Sequence, residues 1–349
     1  MHILVALPVT RMIRAGVSVA NIMRAVEATA AGGPEVLRLV ERPDPGPGPG
    51  QLLVRVAAAG VNFIDTYRRS GAYKMPFPHI VGSEGAGTVV GTNGGVGAFA
   101  VGDRVAWSDG PGSYAELVVI DADRALAVPA GVSDLVAAAL PLQGLTAHYL
   151  VTSTFPVTAG QDVLVHAGAG GVGLLLTQLA VARGARVITT VSTAEKEELS
   201  RAAGASDVVR YTEIGDLTRE LPPIVRRLTG GAGVHTVFDG VGRTTFDASL
   251  ASLRPRGGLA LFGASSGPVP PVDPQRLNAA GSVFLTRPMI THYTATRAEL
   301  TWRADELFAA ALAGTLDVRV GATFPLGEAA QAHRALESRA TTGKVALFP

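Results

Sequence analysis

The 349 residues are 47% apolar and 17% charged, which supplies core material for about two domains, and 30 basic against 29 acidic side chains leave a net charge of +1. That balance removes the electrostatic footprint of a nucleic-acid-binding protein. The absence of any cysteine excludes disulfides, zinc–thiolate sites, iron–sulfur clusters and cysteine nucleophiles.

Residues 1–22 place Arg11 and Arg14 after an apolar stretch, the reverse of a secretory signal, so they read as an extension with the first domain starting near Met23. No apolar run reaches the roughly 18 residues of a spanning helix, and a cytoplasmic protein is expected. From Met23 to about residue 130 the pattern is short and β-like. Gln51–Ala58 and Gly87–Val90 read as strands between Gly- and Pro-rich turns, and Pro43–Gly50 as a loop between strands. Val101–Val105 reads as a turn leading into a strand. Ser133-Asp134-Leu135-Val136 opens a helix that continues through Ala137–Leu140.

From about residue 160 the pattern alternates. Strands are expected at Asp162–Ala167, Ala185–Val191, Ser206–Tyr211, Val234–Asp239, Gly258–Phe262 and Ser282–Thr286. Helices are expected at Val172–Arg183 and about Thr193–Ala203, Asp216–Thr229 and Thr244–Leu253. Strands alternating with helices of this length predict an α/β domain, a doubly wound parallel sheet with helices on both faces. A further helix over about Arg297–Ala313 precedes a strand-and-helix tail. The expected division is an extension (1–22), a β-rich part (23–148), an alternating α/β part (149–287) and a strand-and-helix tail (288–349).

The strongest motif is His166-Ala167-Gly168-Ala169-Gly170-Gly171-Val172-Gly173, which satisfies G-x-G-x-x-G at 168, 170 and 173. It follows an expected strand and opens an expected helix, as pyrophosphate binding requires. The glycines allow a tight turn and close backbone approach, and the helix N-terminus offers unpaired N–H groups and a positive dipole end. A plain strand-to-helix turn would use the glycines for packing alone.

The end of the second strand, Ile188-Thr189-Thr190-Val191-Ser192, lacks the acid that would hold an unphosphorylated ribose in NAD. Lys196 instead sits in the first turn of the next helix, where a cation opposes the dipole. Either Glu195, Glu197 and Glu198 compensate it, or it meets the 2′-phosphate of NADP beside the small Ser192. The missing acid and the added base agree, and favour NADP.

In Gly82-Ser83-Glu84-Gly85-Ala86-Gly87, serine stands where medium-chain alcohol dehydrogenases carry a zinc-binding histidine in a Gly-His-Glu segment. The seven histidines show no metal-ligand spacing, so no metal is expected. The stretch Gly60–Tyr73, the glycine turn, Val191–Lys196, Leu261–Gly267, Leu285–Pro288 and the tail Glu337–Lys344 all resemble zinc-independent NADPH:quinone oxidoreductases. These form the zeta-crystallin-like branch of the medium-chain dehydrogenase/reductase superfamily, and the resemblance runs from Met23 to Pro349.

That resemblance implies a GroES-like catalytic domain around the Rossmann domain, a homodimer, and NADPH as the cofactor. It implies that Asn62, Tyr67 and Tyr73 line the substrate cleft and polarise the acceptor. It places Thr146 and Gly170, Gly171, Val172 and Gly173 at the nicotinamide and pyrophosphate. Ser192, Lys196 and Tyr211 fall at the adenosine phosphate, Phe262 and Ser265 near the nicotinamide ribose, and Lys344 at a tail position that reaches the cofactor. Ser192 stands where glycine is expected and Ala264 where asparagine is usual.

The expected activity is hydride transfer from NADPH to a quinone, whose oxygen gains negative charge that phenols and an amide can meet. Reduction of an activated carbon–carbon double bond, in an enal, enone or enoyl thioester, would use the same chemistry. A basic entrance at Arg68, Arg69 and Lys74 would suit a phosphorylated thioester carrier. The third reading is a protein that binds NADPH with little turnover.

Overall fold

The structure is a computed structural model and describes residues 21–349. The expected extension therefore lies outside the described residues, apart from its last two positions.

The chain enters on β1 (Ile22–Ala28), β2 (Leu37–Pro43) and the long β3 (Gln51–Val61). Asp44–Gly50 is the expected loop between β2 and β3. Helix α1 (Phe63–Ser70) follows, then β4 (His79–Ile80), β5 (Glu84–Thr92), β6 (Arg104–Trp107), β7 (Leu117–Asp121) and β8 (Leu126–Ala127). β1 lies between β2 and β4 in a small sheet. β3 pairs antiparallel with β5 through two register shifts, which bend it and let β7 pair with its first half. Its inward side chains, Leu52, Val54 and Val56, are buried, the period-2 burial expected of a sheet with one face on the core.

Helix α2 (Asp134–Ala139) begins where Ser133 accepts a hydrogen bond from the Val136 N–H at 3.3 Å. Pro141 then starts α3 (Pro141–Tyr149), a position where its missing N–H costs nothing.

The doubly wound part runs β9 (Asp162–His166), α4 (Gly171–Val181), β10 (Arg186–Val191), α5 (Ala194–Ala202), β11 (Asp207–Arg210), α6 (Leu217–Leu228), β12 (Val234–Asp239), α7 (Phe246–Ser252), β13 (Leu253–Leu261), α8 (Gln275–Ala279) and β14 (Phe284–Thr286). The six strands form one parallel sheet in the order β11-β10-β9-β12-β13-β14. Chain order reverses between β9 and β12, so a crevice opens at their carboxyl ends. Val163, Leu164 and Val165 of β9 are fully buried between the helix layers.

Several boundaries differ from the sequence expectation, among them the ends of β3 and β5, which run longer, and the start of β14, which comes later; two have a visible cause. α7 starts at Phe246 rather than near Thr244, because Asp239 holds residues 241–245 in a loop through Val241 N, Gly242 N and the Thr245 hydroxyl. β13 starts at Leu253, five residues early, since Leu253 already pairs with Val234 before the register shifts.

After β14 come α9 (Arg297–Leu312), β15 (Val320–Pro325), α10 (Ala329–Glu337) and β16 (Lys344–Phe348). β16 pairs antiparallel with β3, Val345 opposite Val61, so the last strand enters the N-terminal sheet and the parallel domain is an insertion. No helix among the described residues is long and apolar enough to cross a membrane.

Candidate active site

The glycine turn shows what each glycine is for. A Cβ at Gly168 would lie 2.6 Å from Thr189 and 2.7 Å from Ser200, and one at Gly173 only 2.2 Å from the Ala167 carbonyl oxygen. Those two are set by packing of strand against helix. A Cβ at Gly170 would meet only the Ala167 carbonyl, at 3.2 Å, and the residue faces a cleft of about 410 Å³. At Gly171 the intruded group would be the Gln143 side chain, which also lines the cleft. The turn thus presents bare backbone and the first N–H groups of α4 to the cleft, a cradle that fits a pyrophosphate.

The cleft brings together Asn62 and Phe63 from the β3–α1 junction, Gly170–Gly173 of the turn, and Ser192, Lys196 and Tyr211 beyond β10. Phe262 and Ser265 line it from the loop after β13, and Arg339, Thr341 and Gly343 from the tail.

At the end of the cleft beyond β10, Thr193 caps α5 by accepting the Lys196 N–H at 3.3 Å. The Lys196 ammonium donates to the Arg339 carbonyl at 2.6 Å. Glu197 does not compensate it: that carboxylate binds Arg201 at 2.8 Å and Arg210 at 3.0 Å. The cation therefore faces the cleft, tied to a tail that also bridges Gly343 to Gly170.

The other end differs more from expectation. The Lys344 ammonium does not reach the cleft but is buried, donating to Asn62 Oδ1 at 2.7 Å and pairing with Glu84. Asn62 Nδ2 donates to Glu84 at 2.8 Å and to the Gly60 carbonyl at 3.3 Å. Both amide hydrogens are spent, so Asn62 lines the cleft as a fixed wall rather than as an open donor. Glu84 Oε1 also accepts the Leu142 N–H at 2.6 Å, which satisfies an otherwise unpaired donor in the first turn of α3. Thr146 is buried, its hydroxyl donating to the Leu142 carbonyl at 2.7 Å.

Tyr67 and Tyr73 are not among the residues that line the cleft, but Tyr67 keeps a free donor. Its oxygen accepts the Ala264 backbone N–H at 3.3 Å, which leaves the phenolic hydrogen free. A backbone group thus makes the contact from position 264 that an alanine side chain cannot. Burial raises the Tyr67 pKa, against the Ala264 bond and the nearby Arg287 charge, and so holds the phenol as a neutral donor. Tyr73 lies against it, ring centroids 5.4 Å apart, and is exposed.

Ser83 accepts from Arg68 and donates to Asp65, both at 2.7 Å. Burial raises the Asp65 pKa against its bonds from Ser83 and Asn62. Among the described residues no group of three or more His, Asp or Glu could hold a metal. The basic entrance suggested by Arg68, Arg69 and Lys74 does not assemble. Arg69 is buried on Glu337 and His333, and Arg68 is engaged by Ser83 and Asp109.

Sequence reasoning missed several cleft residues. Gln143 carries no motif, and Arg339 sits within the Glu337–Lys344 tail, where nothing local marks it. His166 could have been noticed as a polar residue ending an apolar strand; it sits between Thr190 (2.9 Å) and Ser249 (3.0 Å), and Ser249 donates to Asp239 at 2.7 Å.

Comparison with known proteins agrees with this architecture. Residues 48–130 match the family described as alcohol dehydrogenase GroES-like domain, and residues 171–304 match zinc-binding dehydrogenase. A quinone oxidoreductase of Pseudomonas aeruginosa is 42% identical over 93% of this chain and 99% of its own. A 2-haloacrylate reductase of a Burkholderia species is 40% identical over 91% and 96%. A mycobacterial protein solved in complex with NADPH is 56% identical, covers 94% of this chain and all of its own, and superposes with a TM-score of 0.90.

Proposed function

The chain belongs to the quinone oxidoreductase family of the medium-chain dehydrogenases/reductases, and from that premise we propose that it is a metal-free enzyme that reduces quinones with NADPH. The single observation that carries the cofactor choice is Lys196: a cation facing the cleft on the first turn of α5, beside Ser192 and Tyr211, with no acid at the end of β10. NADPH, when bound, supplies the hydride.

The residues of the chain do the rest. The Gly170–Gly173 backbone and the α4 N-terminus would hold the pyrophosphate, and Lys196, Ser192, Tyr211 and Arg339 the 2′-phosphate. Phe262 and Ser265 would lie along the nicotinamide ribose, with Thr146 behind the nicotinamide. Tyr67 donates its free hydrogen to the acceptor oxygen as charge develops there. Tyr73 closes the aromatic wall beside it. Asn62 shapes the cleft floor, held by Glu84 and Lys344. A quinol oxygen is stable enough as an anion to take its protons from solvent, so this arrangement needs no tuned acid.

Steady-state kinetics test the reading. Lys196→Ala raises KM for NADPH about tenfold or more and leaves that for NADH within about twofold, as expected on losing one charge-assisted phosphate contact. Equal effects on both cofactors overturn the phosphate assignment. Quinones should be turned over faster than enones or enoyl thioesters. The reverse order favours a second reading, reduction of activated carbon–carbon double bonds, which the likeness to the 2-haloacrylate reductase supports.

The proposal includes a cytoplasmic homodimer. β14 is the edge of the six-stranded sheet and exposes Phe284 at 61%; pairing it with a second copy would cover that edge.

A further inference from the structure

Arg287 is an arginine whose charge nothing in the fold explains. It follows β14, whose last residue, Thr286, pairs with Ala260, so it stands beside Leu261 and Phe262 at the carboxyl end of the sheet. The buried Pro288 after it restricts its backbone to the extended region, which fixes where the side chain starts. Two phenols on other elements lie within range of its charge: Tyr67 of α1 and Tyr149 of α3, whose burial-raised pKa values it opposes. Tyr67 is fixed by Ala264, and Tyr149 by stacking on Tyr293 with centroids 4.3 Å apart. Its backbone thus starts beside Phe262, which lines the cleft, on the side where Tyr67 is tied to Ala264.

The neighbouring arginines are spoken for. Arg68 serves Ser83 and Asp109, Arg69 serves Glu337 and His333, and Arg243 donates to the Pro268 carbonyl. Arg287 is exposed and takes part in none of the ion pairs or side-chain hydrogen bonds formed among the described residues. A guanidinium offers a planar fork of donors that matches a carboxylate or sulfonate in two parallel bonds. With aromatic neighbours and no carboxylate of its own, it is suited to a ligand anion.

We propose that Arg287 receives an anionic substituent on the electron acceptor, so that acceptors carrying a carboxylate or sulfonate are used in preference to neutral ones of the same skeleton. The inference rests on the hydride-transfer reading above and adds a substrate class to it. Arg287 acts on affinity for the acceptor, while the reacting atoms are met by Tyr67.

The test compares 1,4-naphthoquinone with 1,4-naphthoquinone-2-sulfonate, with NADPH, in the unaltered protein, Arg287→Gln and Arg287→Lys. Arg287→Gln should raise KM for the sulfonate about tenfold or more, with KM for the neutral quinone and for NADPH within about twofold; Arg287→Lys should restore much of the loss. Added salt should weaken the preference in the unaltered protein. Equal changes for both quinones, no change for either, or a parallel rise in KM for NADPH overturn the proposal.

Binding of naphthalene-1-sulfonate to the NADPH-loaded protein, followed by intrinsic fluorescence, separates this inference from the reading beneath it. Binding that weakens in Arg287→Gln supports the anion site even if no quinone is reduced. Reduction of the neutral quinone with sulfonate binding unchanged in Arg287→Gln overturns the anion site and leaves the reductase intact.

Discussion

His333 shows how a single buried side chain sets a property of the whole protein. It is fully buried, Nε2 lies 3.1 Å from the Tyr114 hydroxyl, and Nδ1 lies 3.1 Å from an Arg69 nitrogen. Burial and then the Arg69 charge lower its pKa to about 3. The folded state therefore refuses a proton that the unfolded chain takes up below about pH 6.5. The stability that follows is complete above that pH and is lost as pH falls toward 3. His166, His148 and His235, also lowered by burial, act in the same direction. Asp65, raised by burial, acts in the opposite one, because its folded form keeps a proton to higher pH. Unfolding free energies from denaturant melts at pH 7.5, 6 and 5 should decline with acidity. In His333→Gln the slope should be shallower by up to about 1.4 kcal/mol per pH unit. Identical slopes in the two proteins would show that His333 titrates as it does in the unfolded chain. Lys344 is a second residue whose surroundings redefine it: a cation with a buried carboxylate partner contributes little net stability, yet removing either partner strands the other.

At the scale of an element, the strand–turn–helix from β9 to α4 separates packing from binding within one motif. Gly173 has a backbone oxygen where a Cβ would go, and Gly170 has mostly the cleft. Gly170 also holds φ −77° and ψ 170°, open to any residue. Gly170→Ala should fold with a melting temperature near that of the unaltered protein but bind NADPH about tenfold more weakly. Gly173→Ala should lose about 2 kcal/mol or more of stability, since neither backbone segment can yield without moving strand or helix. Thermal melts with NADPH titrations distinguish the two. Gly170→Ala with unaltered NADPH affinity would show that the turn serves packing alone. The helix after β10 gives a related lesson: Thr193 caps α5 and the tail carbonyl of Arg339 takes the Lys196 ammonium, so a cation opposed to the helix dipole is held by a residue 143 positions away.

At the scale of the molecule, the C-terminal segment joins the two domains. From Lys196 the tail passes the Gly170–Gly343 bridge and enters the N-terminal sheet as β16, with Lys344 beneath the cleft at Glu84 and Asn62. One segment therefore touches both ends of the proposed cofactor site. The exposed edge at β14 belongs to this scale too. Phe284→Glu should convert a dimer into a monomer on size-exclusion chromatography at micromolar concentration while leaving far-UV circular dichroism unchanged. A monomer before substitution would remove the dimer from the proposal.

The sequence by itself determined the alternation of strands and helices from residue 162, the glycine turn, and the missing acid opposite a first-turn lysine. These are contiguous patterns, and the physics behind them, side-chain period and backbone sterics, acts over a few residues. It also carried the β-rich character of the chain up to residue 130. The tertiary structure alone decided which polar groups are free. Asn62 looks like a donor in sequence, but Glu84, 22 positions on, and Gly60 take both its hydrogens, and Lys344, 282 positions on, occupies its oxygen. Arg69 looks like part of a basic entrance until Glu337 and His333 take its guanidinium inside. Whether a donor is available depends on who lies within about 3 Å of it, and in a fold whose last strand pairs with its third, those neighbours come from the far end of the chain.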